Sequence, residues 1–381
     1  MLAYLLARKG VSVTLLEAHQ DFDRDFRGDS LNSSVMEVMQ ELGLAERLME
    51  LPHSKIHQVT LETADGPIVM NDFSKLKTRF PFILLLPQFR FLEFIVNEAK
   101  KFSNFRLVMG ANVQELIREE GKIQGVVYQI PEGRREVRAN LIAGADGRAS
   151  RIRQLAGLPP IKTSPPMDIP WFRLPQFPKD KEYANLSVRM GRGFYLAFLN
   201  RMEYWQISYV IPKGAYQKFK KNGLDMFKKS ITDVVPEFQD RIDFLNSWEQ
   251  VSFLSVETNR LPRWHLPGLL LIGDAAHAMS SAGGVGINCA IMDAVAASNI
   301  LSNPLKAGNL TEKHLAKVQK KRMWPTRITQ ILQSLAQRSL IARALNPNKP
   351  FKLPLTFRIP FLRNLAARLT AFGARPVHVQ D

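Results

Sequence analysis

The segment "LPGLLLIGDAAHAMSSAGGVGINCAIMDAVAASNIL" constrains this chain more than any other. Its apolar run, Leu269 to Ile272, stops abruptly at Gly273-Asp274, and helical periodicity resumes from about Val285 to Leu301 after a glycine-rich turn. The pattern predicts a buried strand, a close-approach turn and a helix. Gly283, Gly284 and Gly286 let the backbone pass near a ligand, and the helix that follows offers its unpaired N–H groups to an anion. Asp274 can accept hydrogen bonds from sugar-alcohol hydroxyls. Read alone, "GD" is a strand end with an N-capping aspartate; the length of the whole pattern points instead to a cofactor-sized ligand.

A second strand end occurs at "LIAGADGRASRIRQLAG", where Asp146 and Gly147 form a turn after Gly144, and Ser150 and Arg153 follow at helical spacing. By itself it also fits an Asp-Gly turn before a solvated basic helix. A third piece is the opening "MLAYLLARKGVSVTLLEAH". Leu2, Leu5 and Leu6 share a helical face, Gly10 fits a helix stop, and Val11 to Leu16 is a β-rich run ending in Glu17. That is half of a βαβ unit, and in dinucleotide-binding sheets the acid ending the second strand receives ribose hydroxyls.

Together, "GADG" followed by Ser and Arg, and "GDAAH" followed by a Gly-rich turn ending in G-x-N, resemble the flavoprotein aromatic hydroxylases. These are the single-component FAD monooxygenases related to p-hydroxybenzoate hydroxylase. "FRGDSLNSSVMEVMQELGL", "PQFRFLEF" and "FGARPVHV" extend the resemblance along nearly the whole chain. It implies Glu17 on the adenosine ribose, Arg27 and Gln88 near the cofactor phosphates, and Asp274 on the ribityl chain and adjoining phosphate region. Asp146, with Gly147, would serve FAD and nicotinamide binding, and the N–H groups near Gly286, Ile287 and Asn288 would stabilise negative charge on the reduced ring. For Arg27 and Gln88 the residues alone equally allow a surface cation and a helix N-terminal amide. No catalytic side chain and no metal ligand is singled out; His277 reads as a loop-packing residue.

The chain departs from the family in two places. Ser280 and Ser281 stand where many members carry proline. The family's first strand and G-x-G-x-x-G turn belong about 10 to 20 residues before the opening helix. The expectation is therefore that Met1 is an internal methionine.

The expected architecture is α/β, with a Rossmann-like FAD-binding domain over 1–57, 86–165 and 257–312, N-terminally incomplete. Segments 58–85 and 166–256 form an inserted antiparallel-sheet substrate domain, and 313–381 a basic helical C-terminal segment. "LNSSVMEVMQELGL" predicts a helix over Leu31 to Leu44, Asp65-Gly66 a hairpin turn, and "VRANLIAGADG" one buried strand running into a turn.

At 381 residues and 45% hydrophobic content the chain can bury a sizeable core. Its single cysteine, Cys289, excludes an intrachain disulfide framework and fits a reducing, cytoplasmic setting. The net charge of +17 is a property of one end: Lys313 to Gln380 holds 14 Lys or Arg and no Asp or Glu. A packed helix pair and a peripheral contact with anionic membrane are both open for this segment. Nucleic acid is not an expected partner, because no binding module accompanies the charge.

The resemblance implies an FAD- and NAD(P)H-dependent monooxygenase that adds oxygen from O2 to an aromatic or polyunsaturated small molecule through a flavin hydroperoxide. The alternatives are an FAD-dependent dehydrogenase or prenyl reductase on the same fold, and a truncated, flavin-less, non-enzymatic protein.

Overall fold

The chain builds its parallel core from short strands, of which Leu269–Leu271 is buried throughout while Val13–Leu16, Phe105–Val108 and Ile142–Gly144 are only partly buried. The computed structural model describes residues 1–381 apart from 24–28, 64–65, 183–185, 282, 350, 352, 355–358 and 381. The opening helix Leu2–Arg8 buries Tyr4 to Ala7, and the chain turns at Gly10, whose φ of +80° suits glycine. Strand Val13–Leu16 follows and pairs in parallel with Phe105–Val108, Val13 opposite Phe105. Ile142–Gly144 pairs in parallel with Leu269–Leu271, which pairs antiparallel with His265–Leu266. These two pieces are separate sheets, and the opening helix packs on the long helix Gly286–Lys306.

A larger, mostly antiparallel sheet of seven strands takes its members from both sides of the parallel core in sequence. Its order is 252–255, 167–175, 204–212, 195–200, 186–190, 58–63 and 66–72. One neighbouring pair is parallel, with Leu186 opposite Val59. Alternation sorts its faces: Trp205, Ile207, Tyr209 and Ile211 pack with Phe227 and Ile231 of helix Leu224–Thr232, which leaves Gln206 and Ser208 on the other face. Ile83–Leu85 lies outside this sheet, between Ser30–Leu31 and Ser54–Ile56.

Two local expectations shift, and the predicted hairpin forms. The helix predicted over Leu31 to Leu44 spans Ser33–Glu41, because Ser30–Leu31 is drawn into a strand and Asn32 is extended. "VRANLIAGADG" is divided between strand Gly133–Arg138, which continues a hairpin, and Ile142–Gly144, which joins the parallel core. The hairpin pairs Gln58–Thr63 with Gly66–Asp72, while residues 64–65 lie outside the described set. At the C-terminal end, helix Glu312–Ala336 packs on Gly286–Lys306, and helix Pro360–Phe372 contacts strand Gly66–Asp72. Among the described residues no helix is long and apolar enough to cross a membrane.

Candidate cofactor site

Parallel pairing of Ile142–Gly144 with Leu269–Leu271, Gly144 opposite Leu271, brings two distant turns out at the same sheet edge. A β-carbon on Gly144 would stand 2.5 Å from a Leu271 methyl and 3.1 Å from Ile152 Cγ2, so a larger residue there would force these packed side chains to shift. The turns are then stitched together. The Ile272 N–H donates to the Gly144 carbonyl at 3.0 Å. Arg153, buried to 7% exposure, donates from Nη1 to the Ala275 carbonyl at 3.0 Å and from Nη2 to the Arg148 carbonyl at 2.5 Å. Arg148 in turn reaches Asp274, Nε to Oδ2, at 3.3 Å. The basic helix Arg151–Leu155 is thus no solvated element. Its start is held by Ser150, which accepts from the Arg153 N–H at 3.0 Å, and by Asp146, which accepts from Ser150 Oγ at 2.5 Å and the Ile152 N–H at 2.9 Å. Gly147 takes a φ of +80° between them.

The glycine-rich turn is fixed just as closely. Gly284 has φ +61°, and a β-carbon there would lie 2.3 Å from Ser30 Oγ, which donates to the Gly284 carbonyl at 3.0 Å. Asn288 is buried and donates from Nδ2 to Ser30 O at 2.9 Å and Gly284 O at 3.0 Å, while its Oδ1 accepts from the Asn32 N–H at 2.8 Å. Its side chain is therefore committed to joining the turn to strand Ser30–Leu31. Helix Gly286–Lys306 begins at Val285 with no side-chain cap, and a β-carbon on Gly286 would stand 3.9 Å from Asp274 Oδ1. The carboxylate and the uncapped start of the helix, at Gly286 and Ile287, are neighbours.

Behind the turn lies a fully buried carboxylate, Asp293. It accepts from the Gly273 N–H at 3.0 Å, from His277 Nε2 at 2.6 Å and from Arg322 Nε at 2.8 Å. Burial disfavours its ionised form, but the charges and hydrogen bonds of His277 and Arg322 outweigh this and hold the carboxyl below the usual carboxylate range. His277 is 1% exposed and packs against Trp264, the ring centroids 4.8 Å apart and the planes tilted by 36°. From the Glu312–Ala336 helix, Gln333 also exchanges hydrogen bonds with the Ser280 backbone at 3.3 and 3.1 Å. The basic C-terminal helix is therefore the back wall of the Asp274 turn.

A family model described as "FAD binding domain" matches residues 1–330. A 6-methylpretetramide 4-monooxygenase from Streptomyces rimosus is 31% identical over 392 residues, covering 100% of this chain and 91% of that protein. The chain belongs to the FAD-dependent aromatic hydroxylase family. This family member is an FAD-dependent oxidoreductase. Digeranylgeranylglycerophospholipid reductase 2 from Methanothermobacter thermautotrophicus is 24% identical, covering 83% of this chain and 78% of that protein. The fold is shared with the OxyS anhydrotetracycline hydroxylase structure from Streptomyces rimosus, with TM-score 0.75 and 21% identity, covering 97% of this chain and 72% of that one.

The donor set of this hydroxylase family member fits FAD. Asp274 supplies an acceptor for hydroxyls, Arg148 a cation, and the Gly286 helix start N–H donors for an anionic group, with glycine wherever the backbone must pass close. Glu17 ends strand Val13–Leu16, with its N–H on the Val108 carbonyl at 2.9 Å and its Oε1 accepting from the His19 N–H at 2.9 Å. Gln88 is the first residue of helix Gln88–Ala99, its N–H donated to Asp29 Oδ1 at 3.0 Å. Arg27 lies outside the described residues.

That same Asp29 was not singled out in the sequence, and neither was its partner. Arg201 Nη2 donates to Asp29 Oδ2 at 2.5 Å, and Arg201 Nε to Gln206 Oε1 at 2.9 Å. Arg201 is buried and Asp29 largely so, and the pair joins the seven-stranded sheet to the start of the Gln88 helix. Burial pushes the Asp29 carboxyl up, against the pull of Arg201. Nothing local in the sequence marks either residue as half of a pair.

Proposed function

We propose that this enzyme hydroxylates an electron-rich polycyclic aromatic small molecule, taking electrons from NADH or NADPH and consuming O2. The observation that carries the reading is the Asp274 carboxylate beside the uncapped Gly286 helix start, a preorganised donor set suited to a sugar-alcohol chain and a ring that gains negative charge. Bound FAD supplies the electron transfer and the activation of O2. Glu17, Gln88, Asp146 and Gly147 would hold or border the cofactor, with Arg27 near its phosphates. The inner face of the seven-stranded sheet, with Gln206 and Ser208, would cover the substrate and keep water away. The 31% identity to a 6-methylpretetramide 4-monooxygenase favours a fused-ring phenol.

The test is oxygen uptake by the FAD-loaded protein with NADH or NADPH, with and without alizarin or emodin. The reading expects uptake that rises with the phenol and a product carrying one added oxygen atom. The 24% identity to a digeranylgeranylglycerophospholipid reductase favours a second reading, reduction without O2. A product gaining two hydrogens with no oxygen uptake would establish that reading and remove the first.

A further inference from the structure

Helix Glu312–Ala336 has two faces of opposite character. Leu315, Val318, Arg322, Pro325 and Thr326 are buried against the body of the protein. On the opposite side, at helical spacing, run Lys313, Lys317, Lys320 and Lys321, then Trp324, Ile331 and Leu335, with Arg327 and Arg338 beside them. Trp324 is 57% exposed, Ile331 53% and Leu335 57%. Single exposed apolar residues are ordinary, but three on one stripe, a tryptophan among them, are an unpartnered face.

We infer that this stripe docks on an anionic lipid bilayer. Its lysine half matches a negatively charged headgroup layer, and its apolar half, about 16 Å long at 1.5 Å per residue, suits the headgroup and acyl boundary. Trp324 stands where the two halves meet, the place a side chain with an apolar body and one N–H donor favours. No carboxylate side chain occurs from Lys313 to Gln380 to oppose the field. A second copy is the poorer occupant, because parallel stripes would set lysine against lysine and an antiparallel contact would cover only the apolar half, leaving the lysines without a partner. The buried face already holds the Asp274 turn through Arg322 and Gln333, so docking leaves the cofactor side in place.

The experiment is sedimentation of the full chain with phosphatidylcholine vesicles, with and without phosphatidylglycerol, at low and high salt. Binding is expected only with phosphatidylglycerol, weakening about tenfold or more as salt shortens the reach of the surface charges. Brominated lipid should quench part of the tryptophan emission, and this quenching should vanish in Trp324→Phe. The double variant Ile331→Glu with Leu335→Glu should lose binding at an unchanged thermal midpoint, since both side chains are exposed. Absence of sedimentation with phosphatidylglycerol at low salt would overturn the inference. So would full binding by the double variant, or a dimer that this variant converts to monomer without any lipid binding.

Discussion

Arg148 and Asp274, 126 residues apart in sequence, meet at 3.3 Å and close the seam between the two cofactor-side turns. Both side chains are partly exposed, 26% and 32%, so the pair contributes only about 0 to 1 kcal/mol to stability. Arg148→Ala is therefore expected to leave the apoprotein thermal midpoint almost unmoved. It should weaken FAD binding by less than about tenfold, as titration of flavin fluorescence would show.

Asp293 carries more. Its folded-state pKa lies below the unfolded value, so its stabilisation is complete above the ordinary carboxylate range and is lost as pH falls through that range toward the folded value. Asp293→Asn leaves Arg322 buried without its counter-ion and should cost about 3 to 5 kcal/mol at neutral pH. The gap between wild-type and variant thermal midpoints should narrow on acidification below about pH 4. A gap that widened in acid would contradict the assignment.

Arg201 and Asp29 form the buried link between the seven-stranded sheet and the start of the Gln88 helix. Arg201→Met leaves the largely buried Asp29 carboxylate without its cation and should cost up to about 3 kcal/mol, while the double change with Asp29→Asn should recover much of the loss. Denaturant unfolding of the four proteins measures the coupling. Additive losses would mean that the two residues act independently.

Burial pushes the Cys289 thiol up to about 12. The folded protein should consequently react slowly with a thiol-specific disulfide reagent at mildly alkaline pH, and quickly once denatured. The thiol is partly exposed, so fast labelling of the native protein would contradict the raised pKa itself.

The chemistry-bearing turns were legible in sequence because each joins a short apolar run to glycine and aspartate, and local backbone demands fix those residue types. The α/β class followed from the same alternation of strand and helix. The stitching between the turns was not legible. Helical spacing places Arg153 on a face of its helix, but nothing in the sequence tells that the Ala275 carbonyl covers that face. Asn288 reads as part of a ligand-facing motif, whereas its side chain turns inward to Ser30 and Gly284. The Arg201–Asp29 pair spans 172 residues, and only tertiary folding brings the partners together. The charge excess after Lys313 left a packed helix pair and a membrane contact open, and nothing local showed that Arg322 from that segment reaches Asp293 behind the cofactor-side turn.

The most direct test of the cofactor site is the FAD-induced rise in thermal midpoint, measured for wild type and Asp274→Ala, each as apoprotein and with excess FAD. A carboxylate that accepts a hydrogen bond from bound cofactor contributes about 1.5 to 3 kcal/mol, or roughly tenfold to a hundredfold in affinity. Nearly equal apoprotein midpoints are expected, with a clearly smaller FAD-induced rise in the variant. A lowered apoprotein midpoint with an undiminished FAD-induced rise would make Asp274 a structural residue of its turn and contradict its place on the cofactor.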